Sequence, residues 1–212
     1  MNWKKELLQK SRWYLILDPK FLLWPIDILK KMNNIDIIQL RDKYSDKKQV
    51  LSEAKRIKKL LNRNRQIFII NDYIDIAQLV GADGIHLGQN DLPIVLAKKL
   101  LGERKIIGIS CHSIEEALEA EREGADYISI GPIFGTALKP NLKPLNIGIL
   151  KEISKCIHIP FFPVGGIDLS NLNKILFLKI PRVSFCRLLC GAEEPFLVIE
   201  RMKELWEKYL LS

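Results

Sequence analysis

Residues 106–130 read IIGISCHSIEEALEAEREGADYISI, and they hold one complete structural unit. Ile106–Ile109 is an apolar run without the alternation of a half-exposed strand, which is how a strand covered on both faces reads. A helix is predicted over Ser113–Glu123, where Ser113 is followed three residues later by Glu116, the spacing of a capping box. Gly124 follows, at a place that favours a left-handed C-terminal cap, and Tyr127–Ile130 is apolar again. Two buried strands joined by an amphipathic helix form a parallel unit with helices on its outer face.

The same unit recurs in both directions. Strands are predicted at Trp13–Leu17, Asp36–Leu40, Ile67–Ile70, Gly84–Leu87, Ile106–Ile109, Tyr127–Ile130, Pro160–Val164 and Arg182–Leu188. Lys47–Leu61 places Val50, Leu51, Ala54, Ile57, Leu60 and Leu61 on one helical stripe. Gly81, Gly102 and Gly124 follow helical runs, and Gly81-Ala82-Asp83-Gly84 repeats the device of Gly124-Ala125-Asp126-Tyr127: helix stop, short turn, next strand. Strands alternating with helices build an open doubly wound sheet or a closed barrel. No GxGxxG follows the first strand, and polar residues cluster after most strands around the whole set. The fold class expected is therefore α/β, a single (β/α)8 TIM barrel spanning residues 1–212, with Met1–Arg12 a short helix at the barrel's bottom or start.

Composition agrees. A chain of 212 residues suits one barrel, and a hydrophobic fraction of 48% builds a core without staples. Cys111, Cys156, Cys186 and Cys190 form no CxxC pair and no zinc-spaced cluster with histidine, so reduced thiols are expected. No apolar run reaches the roughly 18 residues of a membrane span. The first residues lack a basic end followed by an apolar block, so a cytoplasmic protein without membrane association is expected. The net charge of +8 admits nucleic-acid binding or a lysine-rich helical surface that also gathers cations for anionic substrates. Because the lysines sit mostly in predicted helices, with no basic arm and no aromatic–basic alternation, the second is preferred and no nucleic-acid partner is expected.

Candidate working groups lie where the predicted strands end. In Gln39-Leu40-Arg41-Asp42-Lys43, alternation sends Gln39, Arg41 and Lys43 to one side if the extended conformation continues, a clamp for a diphosphate. The plainer alternative is an ion-pair patch with Asp42 and Asp46. Asp72 and Asp91, after strands three and four, are the carboxylates that magnesium favours beside phosphate oxygens; helix capping is the competing role. Ser110 follows strand five, where it can bond a phosphate or a substrate amine. His112 is read as structural, His86 as a barrel-wall residue and His158 as lying at the barrel's bottom. Thr136 and Lys139 belong to the loop Gly131–Pro140, whose mixture of glycine and proline suits a lid. Gly165-Gly166 after strand seven and Arg187, assigned to strand eight, are the parts from which barrels build a phosphate site.

QLRDK (39–43), INDYIDIAQLVGADGIHLGQNDLP (70–93), GISCHSIEEALEAEREGADYISIGPIF (108–134) and VGGI (164–167), in this order, resemble the thiamine-phosphate synthase family. The resemblance implies a barrel that joins hydroxymethylpyrimidine diphosphate to thiazole phosphate, giving thiamine monophosphate and pyrophosphate. It implies that Gln39, Arg41, Lys43 and Asn71 hold the pyrimidine diphosphate and that Asp72 and Asp91 bind Mg2+. Ser110 would stand at the reacting pyrimidine and leaving group, Lys139 would reach the pyrophosphate, and Gly166 would hold the thiazole phosphate through its backbone. Three departures mark this chain: Leu138 where the family has a threonine, Phe185-Cys186-Arg187 where a Val-Ser phosphate site is usual, and Pro163 in place of a small apolar residue. Arg187 is expected to meet the phosphate charge that the lost hydroxyls would have met. The alternatives are a thiazole tautomerase, which carries a histidine where Pro132 stands here, and a catalytically silent regulatory barrel.

Overall fold

The computed structural model describes residues 3–61, 65–136 and 142–211, with residues 210 and 211 described by their backbone alone. Eight parallel strands form one sheet: β1 (Trp13–Leu17), β2 (Ile37–Leu40), β3 (Ile67–Asn71), β4 (Gly84–Leu87), β5 (Ile106–Cys111), β6 (Tyr127–Ile130), β7 (Phe161–Pro163) and β8 (Val183–Phe185). The hydrogen-bonded order is β7-β6-β5-β4-β3-β2-β1-β8, and the outermost two, β7 and β8, pack on one another to close the ring. This is a single (β/α)8 barrel, as the sequence predicts. Helices α1 (Trp3–Lys10), α2 (Lys47–Leu60), α3 (Ile74–Leu79), α4 (Ile94–Leu101), α5 (Ile114–Arg122), α6 (Ile149–Cys156), α7 (Leu172–Phe177), α8 (Arg187–Cys190) and α9 (Pro195–Trp206) accompany it. Among the described residues, no helix is long and apolar enough to cross a membrane.

The strand alternation sorts the core into two parts. Ile38, Leu40, Phe68, Ile70, Ile85, Ile107 and Ile128 face outward and pack under the helices. Tyr14, Ile37, Ile67, Ile69, Ile106, Tyr127 and Phe162 point into the barrel and fill its lower half, with Leu8 of α1 below them. α1 closes the bottom: Lys4 donates to the Gln66 carbonyl and pairs with Asp83 at 3.2 Å, and Lys5 pairs with Asp126 at 2.7 Å. The repeated Gly-Ala-Asp turns have a further use. Asp83 accepts from the Phe68 N–H at 2.8 Å and Asp126 from the Ile107 N–H at 2.9 Å, so each aspartate ties the entry of its own strand to the strand before it.

Local corrections follow from polar capping. The Ser113 hydroxyl accepts from the Glu116 N–H at 3.2 Å, but the Glu116 carboxylate takes the His112 N–H, so the capping box is half formed. The complete box stands at α2, between Asp46 and Gln49. β8 ends at Phe185, well short of the predicted Leu188, because the chain turns into α8 at Arg187.

Candidate active site

The upper half of the barrel is polar where the lower half is apolar. Continuing the inward-facing rows upward, β2 presents Gln39, β3 Asn71, β4 His86, β5 Ser110 and β6 Ser129. They open into a cavity of about 270 Å³. Of the residues predicted for the site, Gln39, Arg41, Asn71, Ser110, Thr136, Gly165, Gly166 and Arg187 all line it. Gln39 donates to the Asn71 carbonyl oxygen at 3.0 Å, so two buried amides satisfy one another and each keeps polar atoms for a ligand.

Arg41 stands on this wall because β2 stops at Leu40 and the chain then turns. The Asp42 carboxylate accepts the N–H groups of Tyr44 and Ser45, at 2.9 and 3.0 Å, and ends the extended conformation. The single-sided clamp predicted for Gln39, Arg41 and Lys43 is therefore divided. Arg41 remains at the cavity and donates to Asp18 at 2.7 Å, whereas Lys43 is carried outward to pair with Asp72 at 3.1 Å. The alternative partners Asp42 and Asp46 serve the turn and the α2 cap instead.

Asp72 and Asp91 come together beside Lys43. Asp72 has a positive φ of 61°, uncommon for a residue with a side chain. Burial pushes its carboxyl above the usual range; Lys43 opposes this, and the neighbouring Asp91 carboxylate adds to the rise. Asp91 accepts from the Gly88 N–H at 2.6 Å and closes a turn. Neither residue caps a helix: α3 follows Tyr73 and α4 follows Pro93, neither with a side-chain cap bond. Two hard oxygen donors that repel one another, Asp72 part-buried and Asp91 exposed, fit a magnesium ion, which takes one or two carboxylates and completes its shell with water and phosphate oxygens. Among the described residues no cluster of three or more metal-binding side chains occurs.

Across the cavity, Gly165 and Gly166 have φ of 98° and 62°. A Cβ on Gly166 would lie 2.3 Å from the Gly135 carbonyl oxygen, so the β6 loop and the β7 turn touch backbone to backbone. Arg187 is exposed and belongs to α8, correcting its assignment to strand eight, yet it still lines the cavity. Lys139 and Leu138 lie outside the described residues. His112 donates its Nδ1–H to the Gly131 carbonyl and also lines the cavity, and His158 lies exposed beside Glu121.

Sequence reasoning missed Asp18, Tyr14, Tyr127 and Ser129. Asp18 was recoverable, since it follows the first strand directly, as Asp72 follows the third. The tyrosines lie among apolar strand residues, and only the closed barrel brings their hydroxyls together.

Residues 18–189 match the family described as thiamine monophosphate synthase. A thiamine-phosphate synthase of Halalkalibacterium halodurans is 46% identical over 164 residues, 77% of this chain and 78% of that protein. One from Shouchella clausii is 50% identical over 143 residues, 67% of this chain and 68% of that protein. The solved structure of a thiamine phosphate pyrophosphorylase from Pyrococcus furiosus superposes with a TM-score of 0.85 at 29% identity, covering 96% of this chain and 99% of that one. A polar-topped barrel with these residues at its strand ends, matched along most of its length, places the chain in the thiamine monophosphate synthase family.

Proposed function

We propose that the chain joins hydroxymethylpyrimidine diphosphate to thiazole phosphate, releasing pyrophosphate and forming thiamine monophosphate. What supports this reading is one cavity lined by groups suited to anions: Arg41 and Arg187, the polar side chains of Gln39, Asn71 and Ser110, and the backbone of Gly165 and Gly166. Arg41 takes the diphosphate from the cavity wall and Lys43 meets it from beside Asp72, and the family resemblance implies a part for Lys139. Asp72 and Asp91 would hold Mg2+, which neutralises charge on the leaving group. The bond from the pyrimidine methylene to the diphosphate oxygen breaks, its electron pair leaving with pyrophosphate, and the thiazole nitrogen supplies the pair for the new carbon–nitrogen bond. No protein nucleophile is needed, so the residues act by holding two reactants in line and by meeting developing negative charge. Thr136, the glycine pair and Arg187 bind the thiazole phosphate, Arg187 replacing hydroxyl ligands with a charged fork. The substrates are small phosphorylated molecules, and a cytoplasmic location belongs to the same reading.

The test is product formation by purified protein with both substrates, with and without magnesium. Magnesium-dependent release of pyrophosphate together with thiamine phosphate is the expected result. Absence of product across temperatures and magnesium concentrations would sink the proposal.

A further inference from the structure

A chain of polar atoms climbs through the barrel from its apolar floor to the cavity. Tyr14 Oη lies 2.7 Å from Tyr127 Oη, and Tyr127 Oη lies 3.0 Å from His86 Nδ1. His86 Nε2 is 2.9 Å from Ser110 Oγ. Ser129 Oγ stands 3.4 Å from both His86 Nε2 and Ser110 Oγ. Packing fixes the chain in place. The His86 ring stacks on Tyr127 with centroids 5.6 Å apart, and Gly108 pairs with Tyr127 across the sheet, where a Cβ would lie 2.0 Å from the tyrosine ring.

Heavy-atom distances leave the direction of donation open; the supply of donors decides it. Each tyrosine has one proton to give and a neutral imidazole has one N–H. Burial pushes both tyrosine hydroxyls well above their ordinary pKa, so both stay protonated. Tyr14 is 1% exposed within the apolar cluster of Ile37, Ile67, Ile69, Ile106 and Phe162, and among the described residues Tyr127 is the one hydrogen-bond partner of its hydroxyl. Were donation to run downward, from Ser110 through His86 and Tyr127, Tyr127 would give its proton to Tyr14. The Tyr14 O–H would then be buried against hydrocarbon, and an unsatisfied buried donor is costly. A protonated His86 meets the same obstacle, since its Nδ1–H would again turn the Tyr127 proton toward Tyr14. Upward donation uses every proton: Tyr14 to Tyr127, Tyr127 to Nδ1, and Nε2–H to Ser110.

We propose that Tyr14 and Tyr127 hold His86 as the Nε2–H tautomer, and that Ser110 is thereby an obligate donor to a diphosphate oxygen of the substrate. This deepens the synthase reading and rests on it for the identity of the ligand. Ser110 Oγ takes one hydrogen bond from His86 and one from Ser129, so its own O–H is left to point into the cavity. An obligate donor fits the oxygen on which negative charge grows as the diphosphate departs; it does not fit a substrate amine. Aligned donors polarise one another, and their benefit rises with that charge. Ser110 touches the substrate, while Tyr14, Tyr127 and His86 are positioning residues.

Nitrogen-15 NMR of the full chain labelled at histidine tests the chain directly. The sequence has three histidines, and His86 is assigned by loss of its signals in His86→Gln. The expected result is a protonated Nε2 and a bare Nδ1 in the resting protein; a protonated Nδ1 overturns the proposal. In Tyr127→Phe, kcat should fall roughly fivefold with the KM of both substrates unchanged, the effect of one hydrogen bond felt at the transition state. An unaltered kcat in a folded Tyr127→Phe protein would overturn it equally. The two readings fail separately: a wild-type chain that forms no thiamine phosphate defeats the reaction, whereas an Nδ1–H signal in an active enzyme defeats only the chain.

Discussion

Replacing Asp18 by asparagine should loosen Arg41, the residue proposed to bind the diphosphate, without touching the ligand. Asp18 is fully buried at the end of β1. One carboxylate oxygen accepts the Lys20 N–H at 3.1 Å and the other accepts Arg41 Nη1 at 2.7 Å. Burial pushes the Asp18 carboxyl above its usual range, and the Lys20 N–H and Arg41 oppose that rise. Asparagine keeps an oxygen for Lys20 but turns an NH2 toward the guanidinium, leaving two donors face to face. Breaking a buried pair on one side costs about 3–5 kcal/mol. Arg41 can swing its head into the cavity, which offsets part of this, so a cost at or just below the bottom of that range, about 2–3 kcal/mol, is expected. For a chain of this size that lowers Tm by roughly 5–10 °C. If Arg41 holds the diphosphate as proposed, its displacement withdraws the fork, and the loss of about 1.4 kcal/mol raises that substrate's KM about tenfold. The assay is a double-mutant cycle: KM for each substrate in Asp18→Asn, Arg41→Ala and the double variant. The Asp18→Asn penalty should vanish once Arg41 is gone, and the KM for thiazole phosphate should not change in Asp18→Asn. A tenfold penalty that persists in the Arg41→Ala background would refute the positioning role.

Asp72→Asn should leave Tm close to wild type, because asparagine tolerates the positive φ of 61°, while activity and magnesium affinity each fall at least about tenfold; titration with magnesium after chelation reads both. Gly166→Ala forces a Cβ to within 2.3 Å of the Gly135 carbonyl in a left-handed conformation, so stability should drop by about 1–3 kcal/mol, with a raised KM for thiazole phosphate alone. Arg187→Ala should weaken thiazole-phosphate binding by about tenfold, measured by calorimetry at two salt concentrations; unchanged affinity would show that Arg187 does not replace the missing hydroxyls. At Asp42, burial raises the carboxyl's pKa, but bonds from Ser45 and Tyr44 outweigh it and hold the value below the usual range. The ionised form is thus favoured in the folded state, and its stabilisation is present at neutral pH and lost as pH falls below about 4. Urea midpoints of wild type and Asp42→Asn should differ at pH 7 and converge at acid pH.

The barrel was legible because its causes are local. Ile106–Ile109 and Tyr127–Ile130 are apolar on both faces, Ser113 starts a helix and Gly124 ends one, and each acts through neighbours a few residues away. Strand ends mark the cavity for the same reason, and Gln39, Arg41, Asn71, Ser110 and Gly166, legible at those ends, all line it. Lys43 and Arg187 were less well placed, since the Asp42 turn and the early end of β8 depend on which backbone N–H groups a side chain captures. The sequence by itself therefore determined the strand–helix repeat, the buried and exposed faces, and the polar residues that end each strand. Only the tertiary structure decided the partners: Asp18 with Arg41, Lys43 with Asp72, Asp72 with Asp91, and Tyr14 with Tyr127 and through it His86. These pairs join strands far apart in the chain, and hydrogen bonds and charges act over a few ångströms, so no local pattern records them until ring closure brings the strands together.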